Sequence, residues 1–253
     1  IRGKGGVRLT ENGRALLPAI REILNANDHM DQIVANIRGM SFGRLRIGTF
    51  ASASVLWLPK IIEEFSHDYP GIQIEIIVGG NDSLISQLDE SCIDFAIMSN
   101  PPQGYEWIHL ASDRMLVLLP PGHRLVDKDR VTLDEIDDDP FILSNEGFDY
   151  DVSQIIKGSG ITPRLSFSTM ENRGIIAMIQ HGLGVTVMPE MVLDSLESNV
   201  ITKELAPCEY RHMGIIVKSV HTASLAAKTF ISYAKRIISE LGTYPPIDGE
   251  LNA

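Results

Sequence analysis

Polar side chains follow several predicted strands, at positions where they could hold a small anion. Residues 50–54 follow the first of these strands and offer two hydroxyls and backbone N–H groups at the start of a helix. Such N–H groups attract carboxylates and phosphates. The predicted ligand-binding residues are Ala51, Ser52, Ser54, Ser99, Asn100, Asn145, Glu146, Thr169, Glu171, Val185 and Thr186.

Most of these residues also have a purely structural interpretation. The serines at 52 and 54 could cap the helix, and residues 99–100 could form an ordinary turn. Thr169 could be an N-cap, with Asn172 completing an imperfect capping box. Val185 and Thr186 are expected to line the floor of the site. The sequence leaves the alternatives open.

No pattern of catalytic chemistry accompanies the polar residues. The histidines are scattered without metal-ligand spacing, and no Ser/His/Asp arrangement or phosphate-cradling glycine pattern is found. We therefore predict no catalytic residue, no metal and no cofactor. Cys92 and Cys208 lie far apart, which is typical of a reducing compartment and does not indicate a disulfide framework.

Strands and helices alternate in two series that must position these side chains. Strands predicted at 45–49, 72–78 and 95–98 are separated by helices, an alternation that is typical of a parallel sheet. A second series runs from 115–119 to 200–205. The fold class is α/β, with two Rossmann-like subdomains and a ligand cleft between them. The predicted boundaries are 42–119 with 214–241 for subdomain I, 120–213 for subdomain II, and a flexible tail at 242–253.

A long helix precedes the two series and carries a coiled-coil seam with a period of about 3.5 residues. Thr10 is its predicted N-cap, and Pro18 should kink or restart it. Asn27 could face its twin across a dimer and fix the register, or the seam could open to solvent there. The predicted dimerisation residues are Leu16, Ile20, Ile23, Asn27, Met30, Val34 and Ile37.

Charge is distributed unevenly along the chain. The formal net charge is −11, yet residues 1–46 contain eight Lys or Arg against four Asp or Glu. The acidic remainder is a poor partner for nucleic acid, whereas the basic beginning could contact phosphates. Ordinary solvated arginines explain the same excess equally well. No apolar run is long enough for a membrane span, and no signal peptide is expected at the start.

Several motifs together resemble the LysR-type transcriptional regulators. Residues 6–13, GVRLTENG, resemble the end of that family's winged helix-turn-helix and the start of its linker helix. Residues 44–48, 93–97 and 182–189 resemble its first sensor strand, its LDLAI strand and its GxGVxxxP signature. The ordered set covers nearly the whole chain, although the helix-turn-helix itself is missing from it.

The resemblance implies a cytoplasmic, effector-responsive regulator whose sensor is similar to type 2 periplasmic binding proteins. Residues 1–41 would be the end of the DNA-binding domain and the linker helix. The implied partners are a small, anionic effector, further copies of the chain in a dimer or tetramer, and DNA through the missing domain. The alternatives are an extracytoplasmic solute-binding protein of a transporter and an enzyme on the same two-lobed fold.

Overall fold

The computed structural model describes residues 2–3, 6–7, 9–37, 42–100, 103–144, 150–169, 171–196 and 200–244. The predicted site residues Asn145 and Glu146 lie outside these ranges, as does the tail beyond residue 244. The side chain of Ile37 is not described either.

A short hairpin and one long helix open the chain. Strands β1 (Arg2–Gly3) and β2 (Gly6–Val7) pair antiparallel, and helix α1 spans Glu11–Ile37. The Thr10 hydroxyl accepts a hydrogen bond from the Gly13 N–H at 3.0 Å, which confirms it as the N-cap. Of the kink or restart predicted at Pro18, the restart is wrong, since α1 continues through that residue. One missing hydrogen bond does not interrupt a helix that is propagated from both sides. The kink stays a prediction.

The first lobe follows the predicted alternation closely. Strand β3 pairs in parallel with β4 on one side and with β5 on the other. The predicted first helix is divided at Trp57, and α4 begins slightly earlier than predicted. The elements are β3 (Gly43–Thr49), α2 (Ala51–Leu56), α3 (Leu58–Asp68), β4 (Ile72–Val78), α4 (Asn81–Asp89) and β5 (Phe95–Ser99).

The rest of the chain, from Glu106 onward, contains more elements than predicted. Helices α5 and α7, strand β7 and the first half of β6 were not expected. The C-terminal helix α8 returns to the first lobe, where Phe230 and Ile237 enter the core. The elements are β6 (Glu106–Leu119), β7 (Arg130–Thr132), β8 (Phe141–Ser144), α5 (Tyr150–Ser159), β9 (Leu165–Thr169), α6 (Asn172–Gln180), β10 (Thr186–Pro189), α7 (Glu190–Leu196), β11 (Ile201–Ala206), β12 (Tyr210–Val217) and α8 (Leu225–Leu241).

Strand β6 connects the two lobes. Its residues up to Arg114 pair with β12, whereas Met115 onward pairs with β10 and β11. The strand order is β4-β3-β5-β12-β6-β11-β7, with β10 also on β6. The pairing partners therefore change between Arg114 and Met115, earlier than residue 119, and the chain returns at Tyr210, earlier than residue 214.

Gly184 explains why the glycine-rich signature before β10 needs a residue without a side chain. A Cβ at this position would lie 2.3 Å from the carbonyl oxygen of Pro140. The backbone N–H of Val185 donates to the Pro140 carbonyl at 2.8 Å at the same place. The close backbone approach fixes the start of β10 against the segment that leads into β8.

Helix α7 crosses from the second lobe to the first. Val192 and Leu193 pack in the second lobe, while Met191 is fully buried in the core of the first. Tyr244 donates a hydrogen bond to Asp194 and packs edge-on against Trp57. Part of the segment predicted as subdomain II therefore completes the first lobe.

Candidate functional site

The carboxyl ends of the parallel strands bring together three predicted polar residues. Ser52 lies in the first turn after β3, and Ser99 and Asn100 lie at the end of β5. Ser52 and Ser99 are buried, and Asn100 is half-buried. Asn100 has a φ of +50°, a left-handed conformation that asparagine adopts more readily than most residues. Strand β12 runs antiparallel beside β5 and supplies further side chains at this edge.

A buried arginine from β12 forms the centre of the site. Arg211 Nε donates to Asp113 Oδ2 at 2.7 Å, because the two residues are directly opposite across β12 and β6. Its Nη2 donates to the Ser52 hydroxyl at 3.3 Å, and its guanidinium lies 5.7 Å from the centre of the Phe50 ring. The backbone N–H of Met191 donates to Asp113 Oδ1 at 3.0 Å. The cation is therefore fixed in position by both strands and by α7.

Asp151 reaches this site from the second lobe. It lies in the first turn of α5, and its carboxylate accepts hydrogen bonds from the Ser99 hydroxyl at 2.9 Å and from Asn100 Nδ2 at 2.5 Å. Its Oδ2 is 4.0 Å from Arg211 Nη1. Ser52, Ser99 and Asn100 thus form one network with Arg211, Asp113 and Asp151 that crosses the boundary between the lobes.

Burial governs the protonation of the two acids. It raises the pKa of Asp113 above its ordinary value, and Arg211 and the Met191 N–H oppose this only in part. Burial also raises the pKa of Asp151, against the opposing influence of Arg211, the Ser99 hydroxyl and His212. One buried guanidinium therefore faces two buried carboxylates, and the network contains more acid than base.

Two histidines lie beside the network on β6 and β12. The Ser112 hydroxyl is 3.1 Å from His212 Nδ1 and 3.4 Å from His109 Nε2, and the two rings are 5.9 Å apart. Burial lowers the pKa of His109, and the proximity of His212 lowers it further. The folded protein therefore favours a neutral ring at His109.

We predict that His109 makes the fold less stable in mild acid. Because its pKa is lower in the folded state than the ordinary 6.5, the unfolded chain takes up the proton first and stability falls as pH drops below that value. In melting temperatures measured from pH 8 to pH 5, His109→Gln should flatten this decline. His221→Gln, at an exposed histidine, is the control. An unchanged decline in His109→Gln would contradict the prediction.

The remaining predicted residues of the first turn and of β9 make local contacts. The Ser54 hydroxyl donates to the Ala51 carbonyl at 2.7 Å, and the N-cap of α2 is Phe50, without a side-chain cap. Thr169 accepts from the Glu171 N–H at 3.2 Å. The N-cap of α6 is Glu171, which accepts from the Arg173 N–H, so the interpretation of Thr169 as the N-cap is wrong.

Val185 and Thr186 lie inside the second lobe. Val185 is part of its hydrophobic core, and the Thr186 hydroxyl donates to the Ile142 carbonyl at 2.6 Å. Both side chains are buried and contact other residues of the second lobe. Their predicted role in lining the floor of the ligand site stays a prediction. They hold β8 against β10.

Sequence reasoning missed the three charged residues of the network. Asp113 and Arg211 stand out only as acid and base inside strands with buried neighbours such as Ala111 and Met213. A charged residue in such a strand needs a partner, which is the signal that was available. Asp151 offers no comparable signal, because its partners depend on how the lobes meet.

A cavity of about 700 Å³ lies beside Asp151 and Asn100. Its volume is in the range of small-molecule sites. It extends between α5, β7 and the connection from β11 to β12. Its lining contains Asp134, Asp151 and Glu209 but neither lysine nor arginine among the described residues.

None of the described helices combines the length and apolar composition that a bilayer span requires. Within residues 9–244, leaving out the undescribed gaps, no group of three or more His, Cys, Asp or Glu side chains is arranged to hold a metal ion.

Two α/β lobes joined by crossing strands, with a buried polar network where they meet, have the fold of the type 2 periplasmic binding proteins. Residues 38–238 match the LysR substrate binding domain. A Bacillus subtilis relative described as an uncharacterized HTH-type transcriptional regulator, YvbU, is 34% identical over 236 residues, covering 92% of this chain and 81% of the relative. The chain therefore belongs to the LysR family of transcriptional regulators.

Solved structures agree with this fold. The effector binding domain of QuiR in complex with shikimate superposes with a TM-score of 0.70 at 20% identity, covering 79% of this chain and 99% of that domain. The regulatory domain of CcmR from Synechocystis PCC6803 in complex with 2-PG gives a TM-score of 0.71 at 20% identity, covering 78% and 98%. Both likenesses show that the fold is shared.

Proposed function

We propose that this protein senses a small carboxylate metabolite that binds between the two lobes. The observation that carries the proposal is the buried network in which Arg211 and the polar side chains at the ends of β3 and β5 meet Asp151 of the opposite lobe. Hydroxyl, amide and guanidinium donors at one place suit an anion. A ligand bound there contacts both lobes and can change how they are arranged.

The charges of the cleft support a ligand with a single negative group. Arg211 is the buried cation of the network, whereas the adjoining cavity is lined by Asp134 and Glu209. A second negative group on the ligand would be repelled by these carboxylates, whereas an uncharged part that carries hydroxyls would not be repelled. Shikimate, held by the effector binding domain of QuiR, is a hydroxylated carboxylic acid and is consistent with this chemistry.

We further propose that α1 relays the change through a second copy of the chain. Four apolar side chains of its seam are largely open among the described residues, since Leu16, Ile20, Ile23 and Met30 are between 50% and 70% exposed. Exposed apolar stripes of this kind mark association surfaces. Val34 is half-buried. Asn27 is exposed within one chain, and its role in register stays open.

The proposed division assigns residues 1–41 to the end of the DNA-binding domain and the linker helix, and residues 42–241 to the two subdomains of the sensor. DNA would be bound by a helix-turn-helix domain that is not part of this sequence, in a dimer or tetramer and in the cytoplasm. The curated relatives are transcriptional regulators, which supports this function over a transporter's solute-binding protein and over an enzyme.

The test is a search for the ligand, followed by one substitution. Native mass spectrometry of the purified protein, and thermal shifts with hydroxylated monocarboxylates, should identify a compound that binds one per chain. A protein that no such compound stabilises, under conditions in which it is folded, would contradict the proposal. The identified compound then serves as the probe for the network.

We predict that Ser52→Ala weakens binding of that compound about tenfold. The Ser52 hydroxyl accepts a hydrogen bond from Arg211 and so helps to hold the guanidinium that would face the ligand. Losing this support should lower the binding free energy by about 1.4 kcal/mol, which is a tenfold change in affinity. Isothermal titration calorimetry measures the affinity. Ser232→Ala is the matched control, because that exposed hydroxyl only donates to the Lys228 carbonyl on α8. Equal affinities for the wild type and Ser52→Ala would remove Ser52 from the site.

A further inference from the structure

The carboxylate of Asp151 is held by the first lobe in the way that a ligand's carboxylate would be held. The Ser99 hydroxyl and Asn100 Nδ2 donate to it, and Arg211 Nη1 lies 4.0 Å away. All three groups belong to the first lobe, whereas Asp151 comes from α5 of the second. Ser99 and Arg211 are both more than nine-tenths buried. These donors form a carboxylate site that the protein's own side chain fills.

We propose that Ser99, Asn100 and Arg211 form a carboxylate-binding subsite that Asp151 occupies until a small carboxylate ligand replaces it. The natural ligand of this subsite rests on the proposed function, whereas the exchange itself can be tested without knowing that ligand. Asp151 is then an internal competitor of the effector.

The charges of the network require that a ligand carboxylate replaces Asp151 and exclude that it binds beside Asp151. Asp113 already pairs with Arg211 at 2.7 Å, and Asp151 is the second buried carboxylate of the network. A third carboxylate would lie within a few ångströms of both in a site of low dielectric constant, where like charges repel strongly. The donors can therefore serve the ligand or Asp151, but not both.

The displaced side chain has space to enter. The cavity of about 700 Å³ is lined by Asp151 itself and, one turn further along α5, by Gln154 and Ile155. A carboxylate facing this cavity regains contact with water. Burial in the network raises the pKa of Asp151, so its charged form gains from leaving. The same cavity can hold the body of the ligand whose carboxylate takes the vacated place.

The exchange also changes the connection between the lobes. While Asp151 occupies the subsite, α5 is joined directly to the end of β5. A bound ligand interrupts that direct contact and substitutes its own contacts. The arrangement of the lobes therefore depends on which carboxylate the first lobe holds.

The experiment uses acetate as the probe and Asp151→Ala in the full chain. Without its internal carboxylate the subsite should accept acetate, and the half-saturating acetate concentration in thermal-shift titrations should be at least about tenfold lower than for the wild type. Acetamide and sodium chloride at matched ionic strength should produce no such difference. Equal acetate responses of Asp151→Ala and the wild type would overturn the proposal.

Two further variants locate the effect. Asp134→Ala removes an exposed carboxylate from the lining of the same cavity and should respond to acetate as the wild type does. Adding Ser99→Ala to Asp151→Ala should abolish the acetate response. If Asp134→Ala gained the same response as Asp151→Ala, a general loss of negative charge would explain it and the subsite would be rejected.

Asp151→Asn covers the case in which Asp151→Ala does not fold. Its side chain has nearly the same size and can still accept from Ser99, but it carries no charge for Arg211, so acetate should displace it more readily than it displaces Asp151. A wild-type acetate response in folded Asp151→Asn overturns the proposal. These acetate measurements are independent of the metabolite search, so failure of the subsite and failure of the proposed function can be distinguished.

Discussion

Arg211→Met should lower the free energy of unfolding by about 3–5 kcal/mol, the usual cost of removing one partner from a buried ion pair. Asp113 is completely buried beside the guanidinium, and Asp151 is 8% exposed. Methionine fills a similar volume, so the loss reflects two carboxylates left without their cation and owes little to a cavity. Urea denaturation at pH 7 measures the change.

The neighbouring arginine provides a matched control. Arg114 on β6 pairs with Glu190 and Glu204 but is 45% exposed in its side chain, so Arg114→Met should cost less than about 1 kcal/mol. The loss of unfolding free energy in Arg211→Met should also be smaller at pH 5 than at pH 7, because protonation neutralises the two carboxyls, whose pKa is raised by burial. Similar losses in the two variants would mean that burial does not govern this network.

Ile23→Glu should convert an oligomer of this chain into monomers. Ile23 is 70% exposed within one chain and lies on the predicted seam of α1. A second copy packed there would bury it, and a carboxylate in its place would lose apolar contact and require burial of a charge on each chain. The dissociation constant should rise about a thousandfold, which is about 4 kcal/mol.

Analytical ultracentrifugation across a concentration series measures this change. Ala15→Glu is the control, because residue 15 lies outside the heptad positions of the seam and is exposed. It adds the same charge to the same helix. A wild-type protein that is monomeric throughout the series, or an Ile23→Glu variant that associates normally, would contradict the role of α1.

Local patterns predicted the first lobe well. Strands such as Ile72–Val78 and helices such as Leu225–Leu241 carry regular hydrophobic periodicities that identify them without tertiary information. The meeting of Ser52, Ser99 and Asn100 followed from topology, since parallel strands end at a common edge. The first half of β6, EWIHLASDR, was missed because its burial depends on β12, a partner about a hundred residues away.

The charged half of the site could not be derived in the same way. Asp113 and Arg211 are far apart in sequence and are brought opposite each other only by the register of β6 and β12. The contact of Asp151 with Ser99 depends on the angle between the lobes. Local propensity contains no information about that angle, so the sequence predicted donors for an anion but not the acid that already fills them.

The crossing of α7 limits how the two lobes can move. Three of the connections between the lobes lie close to one another: strand β6 at Arg114, the return at Tyr210, and the hydrogen bond from the Met191 N–H to Asp113. A rigid rotation that keeps all three intact must have its axis near Asp113. Displacements then grow with distance from that acid, so the far rim of the second lobe travels most while the guanidinium of Arg211 stays almost still.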